Sequence, residues 1–250
     1  RACSFRIDTL EIEHHGTVSA TLLLRGELAR RGGRTFCRGE CRITFWAGTA
    51  LTRIEFTLWN QNAARHKGGL WDLGDPGSVF FRSFHFSFTI PDSGDQSRRF
   101  YLSIEPGGRI VESGSGPLSI HQSSSGGDNW RSLAHVDRNN NLTPKFQGYR
   151  ETVDSSVSMG LRANPAVVSR DQLISAAFAL EDFWERFPSR LEIGPGFVSV
   201  EPFPHADSQE FELQGGEKAT FRVWADFNCK EPATALLPAR IKAVPVLPRT

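Results

Sequence analysis

The feature that most narrows what this chain can fold into is a two-residue alternation of apolar and polar side chains, repeated along most of its length. In residues 53–59, Ile54, Phe56 and Leu58 fall on one side while Arg53, Glu55, Thr57 and Trp59 fall on the other. Successive side chains of a strand point to opposite faces, so this run predicts a strand with one buried face. Residues 219–227 repeat it with Phe221, Val223, Ala225 and Phe227. Comparable runs occupy 4–13, 18–25, 41–45, 99–105, 117–122, 130–135, 146–149, 159–168, 172–179 and 197–200, with turn residues between many of them. Residues 79–90 read as one long strand carrying Phe80, Phe84, Phe86, Phe88 and Ile90. The single helical signal is LEDFWERF at 180–187, stopped by Pro188. A dozen or more strands without a strand–helix–strand rhythm predict an all-β fold: a large antiparallel β-sandwich with one short helix.

Composition excludes several classes of function. With 39% hydrophobic and 23% charged residues the 250-residue chain is of ordinary globular make-up. No apolar run reaches the length of a membrane-spanning helix, so no membrane partner is expected. A formal net charge of +1, with arginines dispersed, offers no basic field for nucleic acid. Nineteen Phe and six Trp against one Met suit a core of cross-strand aromatic packing. Cys37 and Cys41 have the spacing of half a zinc site, but no matching Cys/His pair follows, so no metal is expected. A disulfide among Cys3, Cys37, Cys41 and Cys229 stays open, and with it the compartment. Residues 1–229 form the expected sandwich domain. Residues 230–250, rich in proline, are expected to be a linker toward a further domain.

The longest polar connection lies within residues 53–83, between two strands. It holds Asn60, Arg65, His66, Lys67, Trp71, Asp72 and Asp75 among glycines. So long a loop in a β domain is usually functional. Arg65 and Lys67 can hold a carboxylate, His66 can move a proton near neutral pH, and Trp71 offers a face to a sugar ring. The plainer reading is that Asp72 and Asp75 cap turns and Trp71 plugs the core. Asn60 falls at the end of an apolar face, where it must find hydrogen-bond partners. Further clusters are Trp130 with His135, Tyr149 with Arg150, and Glu217 beside the Gly215–Gly216 turn with Glu210 and Glu212. An arginine beside a tyrosine has the chemistry for β-elimination, one drawing charge from a uronate carboxylate and the other exchanging a proton. Neighbours on a strand, however, point opposite ways. No nucleophile elbow, phosphate loop or dinucleotide fingerprint is present, and no cofactor is expected.

Five segments, NQNAARHKGGLWDLGDPGSVFFRS, GGDNWRSLAHV, KFQGYR, FWERFPSRLEI and ELQGGEKATF, resemble the central β-sandwich domain of the exo-rhamnogalacturonan lyase family, comprising the fungal exo-acting enzyme and bacterial relatives. The resemblance spans nearly the whole chain to Phe227. It implies a galactose-mutarotase-like supersandwich, followed in the full protein by a helical barrel, with the polysaccharide cleft between the two. It also implies acidic pectin-type polysaccharide or oligosaccharide and the neighbouring domain as partners. His66, Trp71, Asp72, Tyr149 and Glu217 become cleft-facing candidates, with His66 and Tyr149 as proton carriers. Arg65, Lys67, Trp71, Asp72, Trp130, His135, Arg150 and Glu217 become candidate substrate contacts. Two other readings stay open. One is a non-catalytic sugar-binding or scaffolding sandwich. The other is a mutarotase-like epimerase using His66 or His135 with Glu217.

Overall fold

The computed structural model describes residues 2–30, 33, 35–66, 73–91, 97–114, 116–205 and 210–236. Numbered in chain order, the strands are β1 (Cys3–His15), β2 (Ser19–Arg30), β3 (Thr35–Trp46), β4 (Leu51–Trp59), β5 (Val79–Phe81) and β6 (Phe84–Thr89). They continue as β7 (Arg99–Ser103), β8 (Ile110–Ser113), β9 (Leu118–Gln122), β10 (Tyr149–Val153), β11 (Ser156–Gly160) and β12 (Ala166–Arg170). The last are β13 (Ser175–Leu180), β14 (Ser189–Gly194), β15 (Phe197–Phe203), β16 (Phe211–Leu213) and β17 (Lys218–Asp226). A nine-stranded sheet runs β1-β2-β3-β4-β17-β13-β12-β7-β8, and a six-stranded one runs β11-β10-β9-β14-β15-β6. β5 and β16 form a two-stranded sheet of their own. Every strand pairing is antiparallel, and the all-β sandwich expected from the alternation is present.

The core lies between the two large sheets, where the alternation places it. β4 and β17 pair with Phe56 opposite Phe221 and Ile54 opposite Val223. Those rows face Leu118, Ile120, Leu191, Ile193, Val198 and Val200 of the smaller sheet. Phe84, Phe86, Phe56 and Phe221 make a ladder of tilted and edge-on rings, a favoured geometry for aromatic contacts.

Several expectations are corrected. Residues 79–90 are two strands in different sheets, because the chain breaks at Arg82–Ser83, although Phe81 before the break and Phe84, Phe86 and Phe88 after it pack against the same core. Residues 181–186 form turns rather than a helix: Asp182 takes a left-handed φ of 57°, which a helical run does not admit, and one i→i+4 bond, Arg186 N–H to Asp182 O, remains. The only helix among the described residues is a short 3-10 turn, Pro232–Thr234. Residues 130–135 and 146–148 are not strands. They belong to a long turn-rich connection, 123–148, between β9 and β10. Beyond β17, Cys229 and, within the segment expected as a linker, Ala235 and Leu236 are buried against Ala166, Val168, Ala177 and Ala179 on the outer face of the large sheet. The remainder of that tail, 237–250, lies outside the described residues. The four cysteines are free thiols.

Candidate functional site

The loop after β4 is organised by two polar side chains. Asn60 is 1% exposed. Its Nδ2 donates to the carbonyls of Gly77 (2.8 Å), Leu213 (3.0 Å) and Gln214 (3.0 Å), and its Oδ1 accepts from Asn62 N–H (3.1 Å). The side chain thus ties the loop to the turn that enters β17. Asp75 is equally buried. Its carboxylate accepts the backbone N–H groups of Gly77 (2.7 Å), His66 (2.7 Å) and Arg65 (3.0 Å). Led by the Gly77 bond and opposed by burial, these donors hold the Asp75 carboxyl below its ordinary range. Asp75 therefore plays the turn-capping role. His66 is half-buried at φ 42°, and its Nδ1 is buried without a hydrogen-bond partner among the described residues. A non-glycine residue in that region is held there by its surroundings, here the Asp75 bond. Arg65 is exposed. Lys67, Trp71 and Asp72 lie outside the described residues.

The loop borders a cavity of about 470 Å³. Leu73 lines it from the loop, and Phe80, Phe203 and Phe211 supply an aromatic wall. Ala134 to Asn139, Glu185, Phe187, Pro188, Glu210 and Glu212 complete it. His135 sits edge-on to Phe187, with ring centroids 5.0 Å apart. Glu212 is held by Gly74 N–H (2.9 Å) and Ser78 Oγ–H (2.6 Å), so this carboxylate joins the cavity to the loop. Arg138 donates to Glu210 (2.8 Å) and lies 4.1 Å from the Phe80 ring centre. Burial works to raise the Asp137 carboxyl, but the Asn141 backbone and side-chain donors and the Asn139 N–H outweigh it and bring it below its usual value. With Asp137, Glu185, Glu210 and Glu212 against Arg138, the lining is acidic. Such a cavity accepts hydroxyl donors and repels anions.

Of the predicted site residues that are described, His135 lines this cavity, with Glu210 and Glu212 of the acidic cluster. Tyr149 and Arg150 part company, as alternation requires. Tyr149 packs inward with its ring over Gly160, where any Cβ would collide with it. Burial, reinforced by Glu151, pushes its hydroxyl up, which makes the tyrosinate form scarcer near neutral pH. Arg150 points out from the other face of β10. Trp130 sits in a turn with the Arg131 guanidinium 4.5 Å from its ring centre, so a cation already occupies one aromatic face. Glu217 is exposed on the β16–β17 turn, where it accepts Gln214 N–H (2.7 Å). Glu217 therefore caps a turn, and the expected pairing of His135 with Glu217 is not found in the cavity. Glu210 and Glu212, from the same acidic cluster, take its place there. Arg138 and Phe203 carried no local signal, and Phe187 only that of a helix end, because their segments meet only in three dimensions.

No protein-family model matches the sequence, and no curated protein matches it. Similar solved structures include a galactose mutarotase related enzyme from Lactobacillus acidophilus. It is 17% identical, over 88% of this chain and 71% of that one, with a TM-score of 0.38. A putative aldose 1-epimerase from Escherichia coli K12 is 10% identical over 88% and 69%, with a TM-score of 0.35. A GH36 alpha-galactosidase from Geobacillus stearothermophilus, in complex with stachyose, is 13% identical over 95% of this chain and 29% of that chain, with a TM-score of 0.43. Likeness at this level carries no argument about activity.

Proposed function

We propose that the chain is the saccharide-binding sandwich of a carbohydrate-active protein, holding one uncharged sugar unit in the cavity around His135. The observation that carries this reading is the cavity itself: an aromatic wall for the C–H face of a ring, with carboxylates placed to accept hydroxyl donors. The five resembling segments supply the wider setting, a polysaccharide-lyase-like protein acting on pectin-type glycans. In an acidic glycan that also contains neutral sugars, the cavity would take a neutral unit, since its lining repels a uronate. Heteronuclear NMR titration with neutral and uronic oligosaccharides tests this. Shifts of residues 134–139 and 185–188 with the neutral sugars, weakened by His135→Ala, are expected. Stronger shifts of the same residues with uronates would refute the reading.

A second reading, acid–base opening of a sugar ring as in an aldose epimerase, is supported by His135 and Glu185 lining one cavity. Polarimetry on freshly dissolved glucose and galactose tests it, and mutarotation no faster than in buffer would dismiss it.

A further inference from the structure

We propose a second binding site, on the outer face of the six-stranded sheet, for a carboxylate borne on a ring with an apolar face. Its parts are Arg150, His121 and Met159, set beside Phe146. Strand register makes them neighbours: Arg150 of β10 stands opposite His121 of β9 on one side and Met159 of β11 on the other. Directly opposed residues on one face of a sheet lie within side-chain reach. All three belong to the outer face, because the intervening Ile120, Gln122 and Glu151 are buried on the inner one; Arg150 and Met159 are exposed there, while His121 is half-buried with its Nε2 covered.

The guanidinium is held in place before any ligand arrives. It lies 4.1 Å from the centre of the Phe146 ring, and His121 meets the same ring edge-on at 5.3 Å. Phe146 is buried and fixed by the way the 123–148 connection closes on itself. Lys145 N–H donates to Ser123 Oγ (2.8 Å), Gly148 N–H to Ser124 Oγ (2.8 Å), and Gln147 Nε2 to Gly126 O (3.1 Å). Gly148, at φ 70°, lets the backbone pass so close to Gly160 that a Cβ would overlap its carbonyl oxygen. Each residue of KFQGYR from Phe146 to Arg150 thus has an assigned part, and the part of Arg150 is to stand outward on a fixed aromatic base.

Charge singles out Arg150. Arg190, next in the row beyond His121, is held by Glu192 (2.9 Å) and Glu201 (3.4 Å). Arg150 makes no ion pair among the described residues. A planar guanidinium fits a carboxylate through two parallel N–H bonds. Met159, 58% exposed, offers apolar surface beside it. None of these residues lines the His135 cavity, so the two sites stand or fall separately.

The test is an NMR titration of the whole chain with galacturonate, benzoate and galactose at millimolar concentration. Both acids are expected to shift the amides around Arg150, His121 and Met159, and galactose is not. Preference for galacturonate identifies the ligand as a sugar acid, whereas preference for benzoate identifies it as an aromatic acid. Arg150→Gln, an exposed change whose folding is checked by circular dichroism, should weaken acid binding about tenfold or more, as expected for loss of a charge-assisted pair. Met159→Ser should weaken it less. Absence of shifts with either acid, equal shifts with galactose, or acid binding unaltered in Arg150→Gln would overturn the proposal.

Discussion

Replacing Asn60 probes the tie between the loop and the last sheet strand. The amide has two N–H protons shared among three carbonyls and an oxygen that accepts one further N–H. In Asn60→Ala those bonds vanish while the backbone groups stay largely sequestered. At about 1 kcal/mol net for each of three bonds, the loss is about 3 kcal/mol, a large share of the roughly 5–15 kcal/mol that holds a native domain together. For a chain of this size that corresponds to a melting point lower by about 6–12 °C. Asn60→Asp sharpens the test, because it keeps the shape but turns an acceptor toward three carbonyls. A buried charge without a partner costs about 3–5 kcal/mol, so Asp should be worse than Ala at pH 7. The introduced carboxyl would have a folded-state pKa above its unfolded value of about 3.9. The folded state then holds a proton that the unfolded state releases, so the Asp variant's deficit shrinks as pH falls and grows as pH rises. Urea unfolding at several pH values reads all three quantities. An Asp variant more stable than the Ala variant at pH 7, or a deficit that does not change with pH, would refute the reasoning.

Asp75→Asn should destabilise the protein at pH 7 and progressively less in acid. The native carboxyl is held below its ordinary value, so its stabilisation is complete above the unfolded pKa and is lost as pH falls through the folded one; equal urea midpoint differences at pH 7 and pH 3 would contradict this. Ellman titration at pH 8 should find one fast thiol, the exposed Cys3, and all four only in denaturant. Burial pushes Cys37 up to about 12, and Cys41 and Cys229 to about 11, so their reactive thiolates are scarce in the folded state. More than one fast thiol would refute that assignment.

Strands whose alternation is matched by a buried partner were legible in the sequence. Ile54, Phe56 and Leu58 were expected on one face of β4, and Phe56 and Leu58 are in the core opposite β17. The need of Asn60 for partners and the capping role of Asp75 were legible too, since both follow from polar groups at strand ends and turns. The break at Arg82–Ser83 was not, because the phenylalanines continue across it. Residues 180–187 looked helical from their apolar spacing, yet the left-handed backbone at Asp182 prevents propagation. The cavity was the least legible part. Leu73, His135, Phe187 and Glu210 come from four separate segments, and no local pattern announces that they meet.

The bonds from Asn60 to Leu213 and Gln214 cross more than 150 positions of the chain. A ribosome delivers the loop long before it delivers that turn. Throughout the interval Asn60 lacks two of its carbonyl acceptors, and β4 lacks β17 along one edge. The loop is therefore made well before two of the carbonyls that fasten it. A chain stopped short of residue 213 would carry every loop residue and the Asp75 bonds, yet lack the two that tie Asn60 to the turn before β17.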